Sequence, residues 1–343
     1  HPDLAGWLRS RGSLNGYEPS ASPLISVVVT TFRRPIFLVQ ALDSVEMARS
    51  ALGLSESVLE LVVVDDGHEQ EVFELCEWFR ERSAVCLVYL KSSDGPGAGP
   101  SHCRNLGVRQ ARGSVIYLLD DDDVFLPNRF VRSLPLLRDG RADGVLERTL
   151  FVGRDIGGRG YEGPETRVGP NENLQDAFTL VLAAGPREQH VTTGATAFRK
   201  AAFEAAGGYD ETLRYGEDSE FLLRLCLVGR VVVDAREPVL RYTVHGDAAT
   251  NLDRLQVWHN VKWLSRLSRK VRGSNRRREA EQIHTAASGK LDYALYYYRR
   301  HCHNYLSRLR LGGQSLRYFD WRCLNWRNIK SIVVWLLWPA ASS

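Results

Sequence analysis

Four consecutive aspartates, Asp120 to Asp123, follow directly on the apolar run Val115-Ile116-Tyr117-Leu118-Leu119. Like charges about 4 Å apart repel by roughly 4 kcal/mol at the effective dielectric of a protein surface, so carboxylates massed at one strand end call for a cation. A divalent metal is the direct candidate. Hard Mg2+ or Mn2+ takes carboxylate oxygens, and Mg2+ sites commonly use one or two protein carboxylates plus substrate phosphates. The competing reading is a solvated acidic turn capping a helix that begins near Pro127, since Asp favours N-caps and first turns. A second acidic group, Gly216-Glu217-Asp218-Ser219-Glu220, precedes the apolar helix pattern Phe221 to Val228. The helix dipole there stabilises an ionised carboxylate, which suits a general base, and neighbouring residues point in different directions, so one of Glu217 and Asp218 faces the substrate. Plain helix capping is the alternative for this pair.

The elements that must position these groups alternate between strand and helix. Leu24 to Thr31, Leu59 to Val64, Val85 to Leu90 and Val115 to Leu119 read as strands buried on both faces. Helical stretches follow at Pro35 to Ala51, Glu69 to Arg82 and Ser101 to Arg112. Such units build an open α/β sheet with right-handed crossovers, and ligands bind beyond the carboxyl ends of its strands. The unusual polar residues fall at those ends: Thr30-Thr31, Asp65-Asp66, the loop Gly95-Pro96-Gly97-Ala98-Gly99-Pro100, and Asp120 to Asp123. The glycine loop matches neither the dinucleotide fingerprint nor a phosphate-binding P-loop, which disfavours nicotinamide and P-loop enzymes. Residues 153–170 are Gly/Arg-rich and predict an irregular loop over the site. Val191 to Phe198 reads as a strand and Arg199 to Ala206 as a helix closed by Gly207-Gly208.

Composition is that of ordinary globular protein, with 343 residues, 44% hydrophobic and 25% charged. Charge is unevenly spread. Residues 251–343 hold 18 Lys/Arg and 5 Asp/Glu, a net of +13, against 27 and 36, a net of −9, in residues 1–250. The last segment also carries six of the eight tryptophans, with Tyr293 and Tyr296 to Tyr298 among arginines. Helices are expected there at Leu252 to Val271, Glu279 to Leu311 and Asn328 to Leu337. Trp, Tyr and Arg together suit an anionic membrane surface; the alternative is a helical appendage packing its aromatics on the preceding domain. Nucleic acid is not expected, because no recognition motif accompanies the charge. Six cysteines without a CxxC pair predict reduced thiols and a cytoplasmic protein, which the membrane reading of the tail would place peripherally on the inner face of the cytoplasmic membrane. No apolar run reaches the roughly 20 residues of a spanning helix. The chain opens on His1, which predicts that segments of a longer protein flank it.

From Pro23 to Thr250 the chain resembles family 2 glycosyltransferases of the GT-A fold. The resemblance rests on Ser26-Val27-Val28-Val29-Thr30-Thr31-Phe32-Arg33-Arg34-Pro35, Val62-Val63-Val64-Asp65-Asp66-Gly67, Cys103-Arg104-Asn105-Leu106-Gly107, Leu119-Asp120-Asp121-Asp122-Asp123 with Pro127, Gly207-Gly208-Tyr209-Asp210-Glu211 followed by Gly216-Glu217-Asp218, and Tyr242-Thr243-Val244-His245. Arg33 stands where the family usually has Asn, and His68 where Ser commonly follows the glycine. The resemblance implies a GT-A nucleotide-diphospho-sugar transferase fold, an open and mostly parallel sheet flanked by helices, over residues 23–250. A lead-in (1–22) and a basic, aromatic-rich helical extension (251–343) flank it. It also implies inverting transfer of a sugar from a UDP-linked donor to a saccharide or lipid-linked saccharide, in polysaccharide or glycolipid synthesis, with Mn2+ or Mg2+. The implied roles are Asp218 as base beside Glu217, Asp122 as principal metal ligand with Asp120 and His245, and Asp120 and Asp121 toward the ribose or sugar. Asp66 would hold the nucleotide base, with Thr30, Thr31 and Arg34 also on the nucleotide sugar and Arg104 neutralising charge. A non-catalytic relative would lack intact acidic motifs, and a sugar nucleotidyltransferase would carry a Gly/Arg-rich signature after the first strand; neither pattern is present.

Overall fold

The computed structural model describes residues 24–93, 95–154, 160–164, 175–183, 192–244, 253–271, 276–301, 305–319, 321 and 324–337. Strands β1 (Ile25–Thr31) and β2 (Leu59–Asp65) are buried at every residue, as expected of Val- and Leu-rich strands covered on both faces. With β3 (Cys86–Lys91) and β4 (Val115–Asp120) they form a parallel half-sheet in the order β3-β2-β1-β4. Helices α1 (Pro35–Ala51), α2 (Gln70–Arg82) and α3 (Pro100–Gln110) connect them. Side chains of β1 alternate between two cores. Ile25, Val27 and Val29 join Leu38, Leu42 and Leu75 on one face, and Val28 joins Val108, Phe203 and Phe221 on the other.

Beyond β4 the sheet becomes mixed. It continues through β9 (Thr196–Arg199), antiparallel to both neighbours, then β6 (Gly144–Arg154), β10 (Val231–Val244) and the two-residue β5 (Val124–Phe125). Strand β7 (Gly160–Pro164) pairs with β6 and β8 (Gln175–Asp176) with β10. Short helices α4 (Ser133–Arg138), α5 (Ala177–Ala183) and α6 (Lys200–Ala206) and the longer α7 (Glu217–Val228) complete this half.

Three expectations change. Residues 153–170 are not wholly irregular, because Gly160–Pro164 is drawn into the sheet beside β6. No helix starts near Pro127: Val124 and Phe125 pair with Arg241 and Leu240, the Leu126 amide donates to Val239 O at 2.9 Å, and α4 begins only at Ser133. The expected strand Val191 to Phe198 is split, with a 3-10 turn at Thr193–Ala195 ahead of β9.

The C-terminal segment forms α8 (Asp253–Val271), α9 (Arg277–His301), α10 (Tyr305–Tyr318) and α11 (Trp326–Leu337). The long helix expected over Glu279 to Leu311 is thus two helices. Trp263, Leu264, Leu291, Leu295 and Tyr298 share a core cluster with Phe203, Tyr209 and Phe221, so the extension packs on the sheet-bearing part.

Close approach of backbone decides two positions. The turns after β1 and β2 press together, since a Cβ on Gly67 would lie 2.9 Å from the Arg33 amide nitrogen. Arg33 and His68 in these turns have φ of 58° and 57°, left-handed values that Asn adopts more readily than most side chains. In α3, a Cβ on Gly107 would collide with Val28 Cγ1 and lie 3.1 Å from Val64 Cγ2, so the missing side chain lets the helix settle on the sheet. Gly107→Ala is expected to lower the unfolding free energy by about 1–3 kcal/mol in urea titration. Helix propensity alone would raise it by about 1 kcal/mol, so a stabilised variant would contradict the close contact.

Candidate active site

The register of β1 against its neighbours builds the floor of the site. Thr30 lies opposite Asp120 and Thr31 opposite Asp65. The Thr30 hydroxyl donates to Asp120 Oδ1 at 2.9 Å and the Thr31 hydroxyl to Asp121 Oδ2 at 2.7 Å. Asp65, fully buried, accepts from the amides of Gly67 (2.8 Å), His68 (3.0 Å) and Glu69 (3.1 Å) and from the Tyr89 hydroxyl (2.9 Å), so it organises the turn into α2. Asp66 accepts from the amides of Ala98 (2.8 Å) and Gly99 (2.9 Å), one on each oxygen, and so ties down the glycine loop. A carboxylate has about four acceptor positions, which leaves Asp66 capacity for a ligand.

The four aspartates divide into two kinds. Asp121 and Asp123 are buried, so a solvated acidic turn is ruled out for them. Burial pushes Asp121 up to about 7 against the pull of Arg34, 3.2 Å away, and of the Thr31 hydroxyl. Burial likewise holds Asp123 well above the usual carboxylate range, and its Oδ1 accepts from the Thr243 amide at 3.1 Å, pinning β10 to the aspartate turn. Asp120 and Asp122 keep accessible side chains, 29% and 16% exposed. Asp122 pairs with Arg34, which closes one edge of the site.

Arg104, projecting from α3 and buried, is the hub. Its Nη2 donates to both oxygens of Asp120 at 3.0 Å, and its Nη1 to Glu217 Oε1 at 3.1 Å and Asp218 Oδ1 at 3.2 Å. The Tyr209 ring lies under the guanidinium, 5.4 Å from centroid to Cζ. Burial works against the charge of Arg104, but Asp120, Asp218 and Glu217 outweigh it and raise its pKa further. Glu217 and Asp218 do not diverge as expected; both reach one nitrogen. Nor does the helix dipole decide their ionisation. Burial raises both, and for Glu217 the like charge of Asp218 adds to it.

Three contributors carried no catalytic signal in the sequence. The Thr193 hydroxyl donates to Asp218 Oδ1 at 2.6 Å from a stretch that reads as plain strand. Tyr209 was legible only as part of a motif. Trp263 of α8 packs where a Cβ on Gly216 would be, 2.7 Å from its Nε1, so the extension buttresses the residue just ahead of Glu217. Only the tertiary fold brings these residues to the site. His245 lies outside the described residues.

Among the described residues no three His, Cys, Asp or Glu side chains converge as a preformed metal cage. The accessible donors, Asp122 and Asp120, are hard carboxylate oxygens at the mouth of the crevice. They fit a divalent ion that takes one or two protein carboxylates and fills its shell with diphosphate oxygens and water.

A family model described as Glycosyl transferase family 2 matches residues 26–207. An uncharacterized glycosyltransferase of Rickettsia bellii is 25% identical over 57% of this chain and 25% of its own length. The minor teichoic acid biosynthesis protein GgaB of Bacillus subtilis is 22% identical over 72% of this chain and 26% of its own length. The chain therefore spans about a quarter of each of these two relatives. Among solved structures, S. aureus TarS 1-349 in complex with UDP superposes with a TM-score of 0.58 at 16% identity, covering 87% of this chain and 82% of that one. A mannosyltransferase from Pyrobaculum calidifontis in complex with GDP-Man and Mn2+ gives 0.54 at 17% identity, over 97% and 92%. At these identities the structural likeness shows the fold, the GT-A type.

Removing Arg104 strands three carboxylates around its buried position, whereas removing the more exposed Arg34 strands one buried carboxylate, Asp121, which can take up a proton. Arg104→Met is expected to cost about 3–5 kcal/mol of unfolding free energy in denaturant titration, and Arg34→Met about 1–2 kcal/mol, for the one buried carboxylate it leaves unpaired. Equal losses would contradict the hub.

Proposed function

The chain belongs to glycosyl transferase family 2, and from that premise we propose that it moves a sugar from a UDP-linked donor to an acceptor hydroxyl with inversion at the anomeric carbon. The observation that carries this reading is the reach of Arg104, which joins Asp120 at the strand end to Glu217 and Asp218 at the helix start. One guanidinium thereby brings the group assigned to the donor and the group assigned as base into a single site, as a displacement at an anomeric carbon needs.

In this mechanism the uridine sits over the carboxyl ends of β1 and β2, held by Asp66 and by Thr30 and Thr31, with Arg34 beside the nucleotide. Asp120 faces the ribose and sugar, while the buried Asp121, expected beside it, acts from behind by holding the Thr31 hydroxyl and Arg34. Asp122, with Asp120 and with His245 from outside the described residues, would hold Mn2+ or Mg2+, whose chemistry when bound is Lewis-acid neutralisation of the departing diphosphate. Asp218 takes the acceptor proton as the acceptor oxygen bonds to the anomeric carbon; the bond from that carbon to the diphosphate oxygen breaks, and its electron pair leaves with the diphosphate. Asp218 suits the base better than Glu217 because its side chain is more exposed, 25% against 13%, and Thr193 fixes its orientation. A raised carboxyl pKa brings a base closer to the operating pH, which favours proton transfer. UDP and GDP-Man in the neighbouring structures support a nucleotide-sugar donor, and a teichoic acid relative supports a role in cell-surface polysaccharide or glycolipid assembly.

Donor turnover with Mn2+ across a panel of UDP- and GDP-sugars tests the reading through nucleoside diphosphate release. Asp218→Asn is expected to lower kcat by about 10²–10⁴-fold with UDP affinity nearly unchanged. Retained turnover in Asp218→Asn, with loss in Glu217→Gln, would move the base to Glu217. The base works only when deprotonated, so kcat/KM is expected to fall as pH drops. Because the pKa is raised, this acid limb should lie above the ordinary carboxylate value of about 4. A limb at or below that value would contradict the buried base.

A further inference from the structure

Helix α11 is built inside out. Its inward face holds Asn328, whose side chain bonds Ser288 O at 3.0 Å, Asp292 Oδ1 at 2.8 Å and the Ser288 hydroxyl at 2.7 Å. Beside Asn328, Trp335 is buried against Gly312, where an added Cβ would strike the indole. These contacts fix the rotation of the helix. The opposite face then carries Trp326, Ile329, Val333 and Leu336, all exposed, with Trp326 at 80%. Their spacing of three, four and three residues places them on one stripe. Arg327 and Lys330, also exposed, lie along one edge of that stripe.

We propose that this face is a membrane-docking surface, with α11 lying in the plane of an anionic lipid bilayer, its four apolar side chains in the headgroup and acyl boundary and Arg327 and Lys330 on lipid phosphates. The charge chooses the occupant. Residues 251–343 carry a net of +13, so a second copy meeting the same face would bring like charges together, whereas an anionic surface complements them. Tryptophan is suited to the headgroup level. Amphipathicity sets the mode, with the apolar stripe outward, Asn328 inward and Arg327 and Lys330 along one edge. Twelve residues span about 18 Å, short of the roughly 30 Å hydrocarbon layer. Among the described residues no helix is long and apolar enough to cross a membrane. The inference is independent of the chemistry assigned to Arg104 and Asp218.

Flotation of the full chain on vesicles of equal parts phosphatidylcholine and phosphatidylglycerol tests it. The chain is expected to float with these vesicles and not with phosphatidylcholine alone. Trp326→Ser with Val333→Ser should weaken binding at least about tenfold. Arg327→Gln with Lys330→Gln, which leaves the apolar stripe intact, should weaken it by about 25-fold, near fivefold for each cation. All four side chains are exposed, so the thermal midpoint should not move, and either variant pair alone keeps the test decisive. Failure of the unaltered chain to float would overturn the proposal, as would equal flotation of the Trp326→Ser/Val333→Ser variant. A concentration-dependent oligomer in light scattering that this variant abolishes would overturn it too, because the face would then join copies of the chain.

Discussion

Arg104 sits between two groups of carboxylates that could not otherwise share one crevice. Asp120 ends β4, Glu217 and Asp218 begin α7, and the guanidinium bonds all three while the Tyr209 ring covers its face. These contacts come from three separate parts of the chain, the end of β4, the turn at Tyr209 and the start of α7. The position of the arginine depends on α3 lying close to the sheet, which the absent side chain of Gly107 allows. The carboxylates depend on it in turn, since unpaired charges at that depth are costly. Geometry and charge balance at the site are thus one problem, solved by a single side chain.

That balance leaves room for a ligand. Arg34 and Arg104 between them contact Asp120, Asp121 and Asp122, while Asp123 is spent on holding β10. The two accessible carboxylates, Asp120 and Asp122, are the ones that the proposed reading assigns to a diphosphate and its metal. On the proposed reading, Arg104 spans from donor to base, so donor binding and proton removal draw on the same positive charge. The extension contributes from outside, with Trp263 pressed on Gly216 just ahead of α7, the helix that carries the proposed base.

Much of this was legible in the sequence, for identifiable reasons. Strands β1 to β4 announce themselves as unbroken apolar runs because both faces are covered, and the polar residues that interrupt them fall where a parallel sheet binds ligands. Asp120, Asp122, Glu217 and Asp218 were visible because like charges rarely cluster without a purpose. What the sequence hid is tertiary. Thr193 looks like any strand threonine until the fold brings it 2.6 Å from Asp218. A helix start predicts ionised carboxylates, yet burial raises the pKa of both. The helix expected at Pro127 fails because Val124 and Phe125 are taken by β10, a pairing that local propensity does not contain. The tail aromatics are likewise divided by the fold, Trp263 and Trp335 turning inward and Trp326 outward.

A double-mutant cycle on unfolding free energy tests the central claim most directly, with Asp120→Asn and Asp218→Asn made singly and together. If one guanidinium serves both carboxylates, the two effects are expected to deviate from additivity by about 0.5–3 kcal/mol, and the deviation should vanish when the cycle is repeated on Arg104→Met. Additivity within about 0.5 kcal/mol on the unaltered chain, or a coupling that survives without Arg104, would contradict it.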